Sequence, residues 1–193
     1  MDIQEKLHER RIVALSDNIN SEQADKLRRK LLEFELESDR EILLIIDSDG
    51  GGTASALSIC DAISCLRAPI TGIVVGECSS MAVVVLQMCA KRKALKYARF
   101  LLHFLSTNFS FSNHLSDEDI EKLYRRRLVE GRNGQIYSEQ VIAGRTGKPV
   151  EEIRELMLDG DTLDARLNAE EAKKLNLIDE IIDDPKGLFS QQK

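Results

Sequence analysis

The sequence predicts an α/β fold, a mostly parallel sheet covered by helices. Three observations predict it. The runs "EILLIID" and "ITGIVVG" are apolar throughout, as strands buried on both faces are. Each runs on into a turn rich in glycine or serine. Between them, "ASALSICDAISCLRAP" puts Ile59, Ile63 and Leu66 on one helical face, with Pro69 beyond its end. Strands alternating with helices imply right-handed crossovers and parallel pairing.

In chain order, Ile12 to Leu15 reads as a first strand. In "NINSEQADKLRRKLLEF", Asn20 or Ser21 is the N-cap of a helix carrying Leu27, Leu31 and Phe34 at helical spacing. "EILLIID" follows and ends in the glycine turn "DSDGGGT". After "ITGIVVG", the segment "SMAVVVLQMCA" is a helix or a very buried stretch, and "RFLLHF" is a fourth or later strand. From about Ser116 to Ala143 the chain is polar and helical, weakened by Gly131 and Gly134, and reads as an arm or interface element. "GKPVEEIRELM" starts a helix at its proline. Asn168 with Glu171 forms a capping box, and Asn176 falls at a left-handed C-terminal position. The tail after Asp184 is expected to fray.

Composition narrows the function. The 193 residues fit one domain, 42% hydrophobic and 31% charged, as in soluble globular proteins. No apolar run reaches the roughly 18 residues a membrane span needs. The opening "MDIQEKLHERR" lacks an apolar signal core, which predicts a cytoplasmic protein. A net charge of −6 argues against nucleic-acid binding, and "YRRRLVEGR" reads as a solvated helix face. Cys60, Cys65, Cys78 and Cys89 form no CxxC pair and no metal pattern, so buried reduced thiols are expected, with no metal or cofactor.

The chemistry-bearing residues gather at two turns, "DGGG" at 49–52 and "GECSSM" at 76–81. In a parallel sheet both emerge at the carboxyl edge, where ligands bind. Glycines let backbone N–H groups approach a ligand, and a helix starting near Ser80 adds further free N–H groups. Two converging sets of donors make an oxyanion hole. The plainer reading is two ordinary turns and a capping serine. A serine nucleophile needs a base. Of the three histidines, His8 and His114 lie in polar segments and read as exposed bystanders, whereas His103 ends a strand at the same sheet edge. It is either a satisfied core residue or a general base. Several acids could orient it, and spacing does not choose among them.

Taken in order, these motifs resemble the proteolytic subunit of the Clp protease, from about Arg10 to Ile182. "IDSDGG" is similar to that family's "INSPGG" turn, and the resemblance makes Gly51 an oxyanion-hole donor. "GECSSMA" is similar to "GxAASMG", which selects Ser80 over Ser79 as nucleophile and makes Met81 the second donor. "RFLLH" resembles "RxMIH", carrying the base onto His103. "DARLNAEEAKKLNLID" resembles "DxxMTAEEAxxxGLID", carrying the triad acid onto Asp164, with Asp161 and Asp159 as substitutes because the segment before it is long.

The resemblance implies the Clp/crotonase-like fold of repeated units with a protruding helical handle. One domain over 1–193 would comprise a head (about 10–115 and 145–183), a handle (about 116–143) and a tail (184–193). It also implies a serine endopeptidase cleaving peptides or unfolded proteins inside a homo-oligomeric chamber of heptameric or stacked rings, without membrane or nucleic acid. An AAA+ ATPase partner comes with the family, but the short N-terminus, and Leu43 and Ile45 at aromatic docking positions, argue against dependence on it. Further departures are Asp49 for proline, Ala82 for glycine after Ser-Met, and "LHFL" for "IHQP". The other readings are an inactive Clp-like scaffold subunit, a crotonase-like acyl-CoA enzyme using Glu77, and a Ser–Lys dyad with Lys91 or Lys93.

Overall fold

The computed structural model describes residues 2–106, 110, 114–158 and 164–189. One seven-stranded sheet organises the chain, with β1 (Ile12–Ile19), β2 (Ile42–Gly51), β3 (Ile70–Ser79), β4 (Lys91–Leu95) and β7 (Glu180–Ile182) in that order, all parallel. The helices are α1 (Ile3–Glu9), α2 (Ser21–Glu37), α3 (Thr53–Ser64), α4 (Met81–Gln87), α5 (Asp117–Thr146), α6 (Val150–Leu158) and α7 (Ala169–Lys174).

The sheet forks along β3. Its first half, Thr71 to Val74, pairs with β4; its second half, Glu77 to Ser79, pairs with β5 (Arg99–His103). On the far side of β5 lies β6 (Asp164–Asn168), antiparallel to it. The fork leaves the end of β3 between the extended end of β2 and β5, so both turns and His103 reach one edge.

The main core lies on one face of the sheet. Leu31 and Phe34 of α2, Ile59 and Cys60 of α3, and nearly all of α4 pack there, fully buried, on Leu44 and Ile46 of β2. The continuous apolar runs of β2 and β3 are explained by a second, smaller cluster behind them. Ile12, Leu43, Ile73 and Ile182 form it, with Ile45 and with Leu7 of α1 packed against them. Leu43 and Ile45 thus sit in an apolar layer with α1.

Several boundaries differ from expectation. The first strand continues through polar Ser16, Asp17 and Asn18, because β1 is an edge strand and a bulge at Asp17, with φ 57°, accommodates them. Four elements, α1, β4, β6 and β7, are too short or too polar to show a period. Of the two possible N-caps, Asn20 caps α2, its side chain accepting from the Gln23 N–H at 2.9 Å. The Asn168–Glu171 capping box is formed, and Asn176 has φ 58°.

The polar helix α5 is two things in one. Its N-terminal part is exposed and laced with i,i+4 ion pairs, among them Arg125–Glu121 and Arg126–Glu130. Its C-terminal part is core: Gly134, Ser138, Glu139, Ile142, Ala143 and Thr146 are buried. Gly134 is a close-approach residue, where a β-carbon would lie 2.9 Å from Thr53 Cγ2.

Two expectations are overturned. His8 is no bystander: its Nε2 lies 2.5 Å from Glu37, its Nδ1 lies 2.6 Å from Lys30 Nζ, and its ring packs on Phe34. Cys65 is exposed, because it caps the C-terminus of α3 where the apolar face has ended; Cys60, Cys78 and Cys89 are buried and free.

Candidate active site

The element that carries Ser80 is a strand running directly into a helix. β3 ends at Ser79, α4 starts at Met81, and Ser80 makes the turn alone at φ 54°, ψ −123°. That conformation costs a β-carbon-bearing residue about 1–2 kcal/mol. The Ser80 N–H donates to the Leu101 carbonyl of β5 at 2.7 Å, and its carbonyl accepts from Val83 at 3.0 Å. Its hydroxyl makes no capping hydrogen bond. Helix capping therefore does not account for this serine.

Ser79 faces a different environment. It is buried, and its hydroxyl donates to Glu77 Oε1 at 2.7 Å. That bond also engages Glu77, the carboxylate that an acyl-CoA reading would employ.

Ser80, Met81 and His103 line one small cavity of about 20 Å³, closed by Val84, Leu102, Leu105, Ile142 and Met157, with Gln135, Ser138 and Glu139 forming its polar side. Such a space holds about one water molecule. Met81 is fully buried and is the first residue of α4, so its N–H has no acceptor within the helix. The glycine turn presses against this corner. A β-carbon at Gly50, where φ is 84°, would fall 2.5 Å from the Ser79 carbonyl and 2.9 Å from the Met81 nitrogen. Gly51, at φ 146°, is packed on Ile19 in the same way, where a β-carbon would lie 2.6 Å from the carbonyl.

His103 and Asp164 are direct partners in the β5–β6 ladder. Their side chains are engaged elsewhere: His103 Nδ1 lies 2.6 Å from the Phe104 carbonyl, and Asp164 Oδ2 lies 3.3 Å from Arg166 Nη2. Among the described residues, no hydrogen bond joins Ser80 to His103 or His103 to Asp164. Asp159 and Asp161 lie outside the described residues. Lys91 and Lys93 are on β4, at the other branch of the fork, paired with Glu41 and Glu180.

A polar network invisible to sequence reasoning borders the cavity. Glu139, only 2% exposed, accepts from Gln135 Nε2 at 2.9 Å and from Arg154 Nη2 at 2.7 Å. Gln135 Oε1 in turn accepts from the Leu105 N–H at 2.8 Å. The bond from Glu139 pushes the Arg154 pKa up. Gln135 and Glu139 are spaced i,i+4, the only trace of the network in the sequence. Among the described residues, no cluster of three or more His, Cys, Asp or Glu side chains could hold a metal ion, and no helix is long and apolar enough to cross a membrane.

Residues 1–185 match the family model described as Clp protease. The chain belongs to the Clp protease family. The ATP-dependent Clp protease proteolytic subunit 2 of Corynebacterium jeikeium is 32% identical over 181 residues, 92% of this chain and 81% of that protein. The subunit of the same name from Mycobacterium bovis is 34% identical, over 92% of this chain and 80% of its own. A solved structure of a ClpP1 mutant from Listeria monocytogenes shares the fold with a TM-score of 0.79 at 25% identity, covering 97% of this chain and 99% of that one. The forked, mostly parallel sheet is thus a Clp protease fold, and the relatives are named as its proteolytic subunits.

Proposed function

We propose that this Clp-family chain is a serine endopeptidase in which Ser80 is the nucleophile and His103 its general base. The observation that carries the reading is Ser80 itself, a strained, uncapped serine between a buried strand and a buried helix, lining the same cavity as a histidine. Strain of this kind persists where it serves a function.

Ser80 Oγ attacks the scissile carbonyl while His103 Nε2 takes its proton. The negative charge on the carbonyl oxygen is met by the backbone N–H groups of Gly51 and Met81. His103 then protonates the departing amine, and the acyl-enzyme is hydrolysed by water activated in the same way. Asp164, the ladder partner of His103, contributes its negative charge beside the imidazolium. Peptides or unfolded proteins are the substrate class. The exposed part of α5 is the handle that joins rings of this chain, and the compartment is the cytoplasm.

The test is fluorophosphonate labelling of the assembled protein with peptide mapping. One adduct is expected on Ser80, absent in Ser80→Ala, retained in Ser79→Ala and slowed in His103→Ala, with cleavage of unfolded casein following the same order. Native mass spectrometry reports the ring. A second reading, an inactive scaffold subunit, draws on the pairing of Asp164 with Arg166 in place of His103. An assembled oligomer that takes no label supports that reading and refutes the first.

A further inference from the structure

We propose that the orientation of His103 is set by the peptide group between Phe104 and Leu105, and that Gln135, Glu139 and Arg154 are the positioning residues that hold this group. Asp164 then supplies charge and not orientation. The proposal rests on the peptidase reading above.

The argument follows hydrogen-bond polarity. A carbonyl oxygen only accepts, so the 2.6 Å contact between His103 Nδ1 and the Phe104 carbonyl requires the proton on Nδ1. A neutral imidazole protonated there has its lone pair on Nε2, the tautomer that takes a proton from a serine hydroxyl. In a Ser-His-Asp triad a carboxylate performs this selection. Here the carboxylate of Asp164, the ladder partner of His103, is turned to Arg166.

The Phe104 carbonyl is held from its other side. It shares one planar peptide unit with the Leu105 N–H. That N–H donates to Gln135 Oε1 at 2.8 Å. Gln135 can present its oxygen only because its amide nitrogen points the other way, donating to Glu139 Oε1 at 2.9 Å. Glu139 is a pure acceptor when ionised, and Arg154 donates to its Oε2 in bonds of 2.9 and 2.7 Å. Every link therefore has a single allowed direction. A carboxylate this buried costs several kcal/mol unless paired, so the cluster is not an incidental surface contact. Consecutive bonds through one peptide unit also polarise each other, strengthening the carbonyl as an acceptor for His103.

The test uses the assembled full chain, labelled with ¹⁵N-histidine, with the His103 ring resonances assigned by difference from His8 and His114 variants. The Nδ1–H tautomer is expected at His103 in the wild type and in Asp164→Asn. It should give way to the Nε2–H form or a mixture in Gln135→Met, which matches the volume but cannot accept. Glu139→Gln, isosteric and free to flip, is expected to do the same, and it is the substitute if Gln135→Met does not fold.

In peptide cleavage, Asp164→Asn should lose about tenfold or less in kcat/KM. Where a carboxylate selects the tautomer, the same change costs about 10⁴-fold. Gln135→Met should lose about 10²-fold, in kcat and not in KM, the span of one general-base contribution. An Nε2–H tautomer in wild type overturns the proposal, as does a loss of about 10³-fold or more in Asp164→Asn. A protein that takes no fluorophosphonate yet shows the Nδ1–H tautomer, lost in Gln135→Met, refutes the peptidase reading and supports the relay. One that labels Ser80 but shows Nε2–H refutes the relay alone.

Discussion

A β-carbon on Gly50 would lie 2.7 Å from the β-carbon of Ser80. The glycine turn and the serine turn are therefore in direct contact, and neither can change without moving the other. Gly50→Ala adds an overpacking cost to a positive-φ cost, about 2–5 kcal/mol together. It is expected to slow fluorophosphonate labelling of Ser80 at least about 100-fold, because the added carbon displaces the Ser80 β-carbon and the Met81 nitrogen it would meet. A thermal melt and a labelling time course check both parts.

Ser80 is strained by its own backbone, and its identity sets the size of that strain. Ser80→Gly removes about 1–2 kcal/mol of strain and costs about 0.5–1 kcal/mol in unfolded-chain entropy, a net gain of about 0–1.5 kcal/mol. Ser80→Ala keeps the β-carbon and gains nothing comparable. Both variants should be inactive, with the glycine variant melting higher. A glycine variant melting below Ser80→Ala would show that Ser80 is unstrained.

The cysteines should divide by burial. Desolvation pushes the thiols of Cys60 and Cys89 up to about 12 and that of Cys78 well above its ordinary value. Thiolates are the reactive species, so these three should resist alkylation at pH 8. Native protein is expected to take one iodoacetamide, at Cys65, and denatured protein four. Labelling at Cys78 in folded protein would contradict the packing beneath Ser80.

Arg92 ties β4 to the segment that follows α7, and its bond to Asp179 should appear as acid sensitivity. Its guanidinium, only 6% exposed, makes a bidentate pair with Asp179 and also bonds Gln87 Oε1 and the Asn176 carbonyl. Burial raises the Asp179 pKa, but the hydrogen bonds and charge of Arg92 outweigh it and leave the pKa below the ordinary value. The folded carboxyl is the stronger acid, so its contribution is present above the unfolded pKa of about 3.9 and is lost as pH falls through the lower folded value. Asp179→Asn should cost about 1 kcal/mol at pH 7, and the difference should shrink as pH falls below the unfolded value of about 3.9. Urea unfolding at the two pH values reads it.

Much of the fold was legible because burial leaves a pattern. "EILLIID" and "ITGIVVG" are apolar without alternation because both faces of β2 and β3 are covered, and Asn168 with Glu171 is a capping box on inspection. The short strands β4, β6 and β7 left no period, since strands of three to five residues with charged neighbours sit below what periodicity resolves. The polarity of α5 concealed that Ser138 and Glu139 are core, because a buried polar residue is distinguished from an exposed one only by its partners.

By itself, the sequence determined the local geometry of the site. A buried strand, a lone serine and a buried helix in succession leave few conformations for Ser80, and the glycines at 50 and 51 supply the positive φ their turn requires. The tertiary structure decided which groups meet. The fork in β3 brings β5 alongside Ser80, the antiparallel ladder sets Asp164 opposite His103, and the fold of α5 and α6 carries Gln135, Glu139 and Arg154 to the peptide after His103. Backbone conformation follows from neighbouring residues. Hydrogen-bond partnership between residues about 30 positions apart follows only from the packing of whole elements.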